Sequence, residues 1–172
     1  MNKLFDFNNT FSYLPIFNGA ITSDLIIIYF LYYTKYINSK TLKNWYKEFR
    51  LSAFIADIFI IVIGIIIARY IFYYLEIVPS LVSFILVVLL IQFIHDTSFY
   101  LFFKNIKSGT NKMLDFFKAY ANEVGIGAIK GDSLILVLTV LFSYYYSTLN
   151  LNINLIILII LMYLVPYFIY TI

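Results

Sequence analysis

No cysteine occurs among the 172 residues, and only 12% of them are charged. The first absence excludes a secreted disulfide scaffold. The second excludes a disordered chain, a coiled coil and a nucleic-acid-binding domain, each of which needs abundant charge. A single histidine, with no cysteine and no glutamate at ligand spacing, leaves no zinc site to expect. HExxH, GxSxG, a glycine-rich phosphate loop and a TVGYG filter are missing as well. No metal, no cofactor, no nucleic-acid partner and no enzyme activity are therefore expected.

What the chain has in excess is apolar surface: 63% hydrophobic residues and 21% aromatic ones, with a mean hydropathy of +0.90. Soluble domains are closer to half apolar and a quarter charged, so these figures describe a membrane protein. A helix needs about 20 mostly apolar residues to cross the hydrocarbon core. Five stretches qualify: Asn18 to Tyr36, Leu51 to Tyr73, Leu81 to Phe103, Ile126 to Ser147, and Ile153 to Ile172. The expected fold is all-α, a polytopic transmembrane helical bundle forming one domain over residues 1–172. The first span lacks a basic leader and a small-residue cleavage pattern, which predicts that it is retained. Lipid-anchor motifs are not expected either.

Basic residues set the expected orientation. All but Lys3 and Arg69 lie in or beside two connections, Lys35 to Arg50 and Lys104 to Lys130. The positive-inside rule then puts both connections in the cytoplasm, the N-terminus outside and the C-terminus inside. Anionic lipids are the expected partners of these connections, alongside the bilayer itself. Each connection also carries an amphipathic helix. Leu42, Trp45, Tyr46 and Phe49 form the apolar stripe of the first, and Met113, Phe117, Tyr120 and Val124 that of the second. Both are expected to lie in the inner interface, apolar face toward lipid, with an N-cap for the second from Ser108-Gly109-Thr110.

Sliding the chain on itself by 75 residues aligns Glu48 with Glu123, Ala53 with Ala128 and Asp57 with Asp132. It also aligns two stripes of mostly small residues four apart: Ser52, Ala56, Ile60, Gly64, Ala68 and Gly127, Gly131, Ile135, Thr139, Ser143. Small residues at this spacing let spans approach closely. The expectation is a two-helix repeat, spans two and three matching spans four and five. Spans two and four would pack on each other, or on a second copy or another membrane protein, through the stripes.

Ionisable groups inside a span cost roughly 2.5 to 3.5 kcal/mol each on insertion scales, so they mark where function is sought first. Asp57, His95, Asp96 and Asp132 fall at similar depth from the cytoplasmic side, and Gln92 sits one turn from Asp96. One inner-leaflet polar cluster is expected from them. In the outer half, Arg69 is expected to form a clamp with Glu76 or with Asp24, read as lying near the outer end of span one.

The wording of Trp45 to Ala53 (WYKEFRLSA), Ala56-Asp57, Gln92 to Tyr100 (QFIHDTSFY) and Asn111 to Asp132, with its FFKAYANEVG and KGDS blocks, resembles uncharacterised small polytopic membrane proteins of large nucleocytoplasmic DNA viruses. The resemblance covers residues of about 45–140. It implies a virion inner membrane or an infected-cell membrane and carries no activity with it. The first functional expectation is thus a structural or assembly component of a viral or intracellular membrane. The alternative is a small proton- or ion-coupled transporter or channel that uses the inner cluster.

Overall fold

A computed structural model describes residues 2–125 and 127–170. The fold is all-helical, with 82% of residues in helix, and no strand occurs among the described residues. The helices are α1 (Tyr13–Tyr33), α2 (Lys40–Phe49), α3 (Leu51–Tyr74), α4 (Leu81–Lys104), α5 (Lys112–Val124), α6 (Gly127–Tyr146) and α7 (Leu151–Ile169). Five of them, α1, α3, α4, α6 and α7, are long and apolar enough to span a membrane, which marks the chain by length and composition as a multi-pass membrane protein. The expected boundaries Ile126 and Ile172 lie outside the described residues.

Local chemistry explains the helix ends. Ser39, Asn111 and Asn150 accept hydrogen bonds from the first-turn amides of α2, α5 and α7, and Ser80 with Ser83 forms a capping box at α4. The cap of α5 is therefore Asn111, and the Ser108-Gly109-Thr110 turn precedes it. Span one begins earlier than its expected start at Asn18, because Pro15 fits the first turn of a helix, where its missing N–H costs nothing.

The architecture centres on α1, which packs on α6, α7 and α3; α4 then packs on α3 and α6. Of its most apolar stretch, 67% is buried, against 17% for α4 and α7, which turn bulky side chains outward. The close approach of α6 is made possible by Gly19: a Cβ there would stand 2.8 Å from the Thr139 carbonyl oxygen and 2.9 Å from the Ser143 nitrogen.

This packing corrects the expected pairing of spans two and four. Helices α3 and α6 touch only marginally, each packing more extensively on α1, and the stripes divide. Thr139 and Ser143 are buried on the α6 face that meets α1, and Ala68 is buried on α3. Ser52, Ala56, Gly127 and Gly131 are exposed, and a Cβ on Gly64 or Gly131 would touch nothing within 4 Å.

One end of the bundle carries the two basic connections and is called the basic end below. At the other end the N-terminal segment folds over the helices. Leu4 and Phe5 are buried there, with the Phe5 ring 5.0 Å from Phe84 and 5.9 Å from Tyr144.

Candidate functional site: a carboxylate layer beneath two amphipathic helices

Helix α2 folds back over the bundle because the chain turns sharply at Arg50, whose φ of 48° and ψ of −122° connect α2 to α3 with no intervening loop. Its apolar face consequently meets protein, which corrects the expected lipid-facing arrangement. Trp45 and Tyr46 are each only 2% exposed. The Trp45 ring stacks on Phe116 of α5 at 4.6 Å between centroids, and Phe117 lies at 5.2 Å. Glu123 at the end of α5 ties the two helices together. Its carboxylate accepts hydrogen bonds from the Ser39 hydroxyl at 3.1 Å and from the amides of Lys40 and Thr41, both at 2.9 Å. A carboxylate at a helix N-terminus satisfies orphan amides and complements the helix dipole.

Beneath this cap lies the polar layer. The Trp45 indole N–H donates to Asp57 Oδ2 at 2.9 Å. The Tyr46 hydroxyl lies 2.9 Å from the same oxygen and 2.9 Å from Asp24 Oδ1. Asp24 is fully buried at the middle of α1, and its second oxygen has no partner. On the neighbouring side, the Gln92 amide donates to Asp96 Oδ2 at 3.0 Å and to the Ile129 carbonyl at 3.1 Å, while the Ser133 hydroxyl donates to Gln92 Oε1 at 3.1 Å. His95 Nδ1 is 3.1 Å from Asp96 Oδ1, a contact that is an ion pair when the imidazole is protonated. Asp132 lies within electrostatic reach of both sides, of Asp96 and His95 on one and Asp57 on the other.

Two phenols of the capping helices register the charge below them. Burial, followed by the negative charges of Asp24 and Asp57, pushes the Tyr46 hydroxyl well above its ordinary pKa. Burial and then Asp132, with smaller contributions from Asp57, Glu123 and Asp96, do the same to Tyr120. Both phenols are therefore held neutral and remain hydrogen-bond donors.

The structure thus brings Asp57, Gln92, His95, Asp96 and Asp132 into one layer and adds Asp24, which the sequence reading placed elsewhere. The correction follows from the true start of α1, which shifts Asp24 to mid-helix. Arg69 is corrected too: it pairs with neither Asp24 nor Glu76. One guanidinium nitrogen donates to the backbone carbonyls of Asp6 and Asn9, and the group sits 4.9 Å over the Tyr13 ring. Its Nε and Nη1 are buried without partners. Glu76 is exposed in the turn after α3. Trp45, Tyr46, Tyr120, Ser133 and Glu123 had not been singled out for the layer; the usable signal was the clustering of hydrogen-bonding aromatics on the apolar faces of α2 and α5.

No group of three His, Asp or Glu side chains among the described residues is arranged to hold a metal ion. The arrangement suits proton sharing: several carboxyl groups, neutral phenols between and above them, and one imidazole at the edge. No family model, curated protein or solved structure matches the chain.

Proposed function

We propose that the protein exchanges protons within the membrane, as a small proton-coupled transporter or channel, and that Asp24, Tyr46 and Asp57 form its proton-binding element. The observation that carries this reading is the position of the Tyr46 hydroxyl, 2.9 Å from a carboxylate oxygen on each side. A phenol has one hydrogen to give. It satisfies one of the two carboxylates; the other contact becomes a hydrogen bond only if that carboxyl is itself protonated and donates to the phenol oxygen. Asp57 already accepts from Trp45, which favours Asp24 as the protonated member. One proton shared along Asp24, Tyr46 and Asp57 moves between the two carboxyl groups when the phenol passes its own hydrogen on and accepts another.

Other features support the reading. Asn18 Oδ1 and Ser143 Oγ are buried without partners. Both lie along α1 and the α6 face against it, between Asp24 and the far end. Such atoms call for water, and water there would extend the relay. With the basic end assigned to the cytoplasm by the positive-inside rule, the proton-binding element lies toward the cytoplasmic side. The resemblance at residues of about 45–140 suggests a virion or infected-cell membrane.

Closure of the bundle at both ends, by Leu4 and Phe5 on one side and Trp45 with Phe116 on the other, favours a second reading, a structural or assembly component with the same hydrogen bonds acting as a clamp. Proton flux into liposomes holding the purified protein separates the two. Proton entry driven by a potassium-diffusion potential is expected in the unaltered protein and should be lost in Asp24→Asn and Tyr46→Phe, but retained in Lys40→Gln. Flux no greater than in protein-free liposomes would overturn proton exchange and leave the clamp.

A further inference from the structure

We infer that a cavity between the end of α4 and the outer side of α5 binds the phosphate of an anionic phospholipid headgroup. The site shares no residue with the carboxylate layer and stands or falls independently of proton exchange. The cavity measures about 320 Å³ and is lined by Lys104, Lys118, Ser108, Asn122, Tyr100 and Phe103, among others, with no carboxylate in its wall. The two charged residues in its wall, Lys104 and Lys118, are both positive. The only acidic side chain in the adjoining turn, Asp115, is engaged with the Gly109 amide at 2.8 Å.

The two lysines are placed by the fold. Lys104 is the last residue of α4, and its ammonium group lies 5.7 Å from the Tyr100 ring centroid. The Lys118 ammonium donates to the Ile106 carbonyl and, at 3.4 Å, to the Ser108 hydroxyl. An ammonium has three N–H donors, so one remains for a ligand. Ser108 and Asn122 add two neutral hydrogen-bonding groups. The wall behind them is stiffened by aromatic packing, with Phe117 of α5 at 5.1 Å from Phe99 and 6.3 Å from Phe103 of α4. A tetrahedral oxyanion bridging two ammonium groups is the ligand this donor set satisfies.

A lipid phosphate and free inorganic phosphate share that chemistry. Position favours the lipid. The cavity opens where a membrane span ends, at the level of headgroups, and the neighbouring α4 surface offers Leu101 and Phe102, 55% and 56% exposed, for acyl chains to lie along.

Binding of dioctanoyl phosphatidic acid, dioctanoyl phosphatidylcholine and inorganic phosphate to the detergent-purified full chain, followed by native mass spectrometry, tests the site. Saturable binding of phosphatidic acid is expected, weakened about ten-fold or more by Lys104→Gln with Lys118→Gln and restored by Lys104→Arg with Lys118→Arg. Lys35→Gln with Lys40→Gln removes the same charge from the other basic connection and should leave binding unchanged. Equal weakening by both glutamine pairs, or equal binding of phosphatidylcholine, would show diffuse attraction and overturn the site. Inorganic phosphate binding as tightly as phosphatidic acid would overturn the lipid as its ligand.

Discussion

Arg50 and Gly125 hold the same backbone conformation at equivalent corners of the fold. Their φ and ψ are 48° and −122° in one, 55° and −131° in the other. The Arg50 amide donates to the Tyr46 carbonyl and the Gly125 amide to the Ala121 carbonyl, so the corner bonds match under the same 75-residue shift that aligns α2 with α5 and α3 with α6. The match covers a helix, a corner and a span; it does not extend to the expected two-helix pairs of spans two and three with spans four and five, because α4 packs on α3 whereas α7 packs on α1 rather than on α6. Only glycine enters this region of backbone space without strain, and Arg50 does so without glycine's freedom.

The first prediction concerns that strain. Arg50→Gly should be more stable than Arg50→Ala by about 1 to 3 kcal/mol, the usual penalty of a sparsely populated conformation. Comparing the two variants cancels the loss of the Arg50 contact with Tyr170, whose ring lies 5.5 Å away. Gly125→Ala should lose a similar amount. Thermal unfolding in detergent measures all three, and equal midpoints for the Gly and Ala variants at position 50 would contradict the strained corner.

A second prediction separates close packing from mere smallness. Gly19→Ala places a methyl group against the backbone of α6 and should cost about 1 to 3 kcal/mol. Gly131→Ala meets open space and should be neutral or gain up to about 1 kcal/mol of helix propensity. Equal losses at both positions would mean that the exposed half of the stripe is covered after all, as in contact with a second copy.

Glu123 provides a third. Its removal in Glu123→Ala leaves the first amides of α2 without acceptors, at a cost of about 1 to 2 kcal/mol. The change should be seen locally: trypsin should cut more readily at Lys40, Lys43 and Lys47, while the spans stay protected. Unchanged cleavage would show that α2 is held by its aromatic face alone.

The fourth prediction is a pH dependence. Tyr46 and Tyr120 have phenol pKa values raised above the ordinary 10 in the fold. A raised value means that the neutral phenol contributes stability in full below pH about 10 and loses it as pH climbs past that point toward the folded-state value. Trp45, the one tryptophan, stacks at the junction of α2 and α5, so its emission should shift to the red on alkaline titration as the cap opens. Tyr46→Phe should flatten this limb and Tyr120→Phe should flatten it further. An emission that stays constant to pH 12 would refute the coupling.

Much of this architecture was legible in the amino-acid pattern, and the exceptions have definite causes. Runs of apolar residues define spans because the bilayer fixes their length, and depth along a helix brings Asp57, His95, Asp96 and Asp132 to one level by counting. Asp24 escaped because the sequence reading counts span one from Asn18; α1 starts at Tyr13, with Pro15 tolerated inside its first turn, which moves Asp24 half-way along it. Periodicity showed that Trp45 and Tyr46 share an apolar face, but an apolar face is equally satisfied by lipid and by protein. Arg69 found the carbonyls of Asp6 and Asn9 in the turn between two short 3-10 helices, and side-chain identity alone does not reveal such partners.

The central position of α1 bears on how the protein is made. Among the five spans this helix leaves the ribosome before the others, yet its most extensive contacts are with α6, with further packing against α7, the last two to follow it. Until they arrive, Asn18 lacks its hydrogen bonds to Asn154, and the groove around Gly19 has nothing to fill it. The earliest of the five spans is the last to be completed. A membrane insertase or chaperone able to shelter a polar-faced helix through the synthesis of four more spans would thus be of greatest use while α1 waits for α6 and α7.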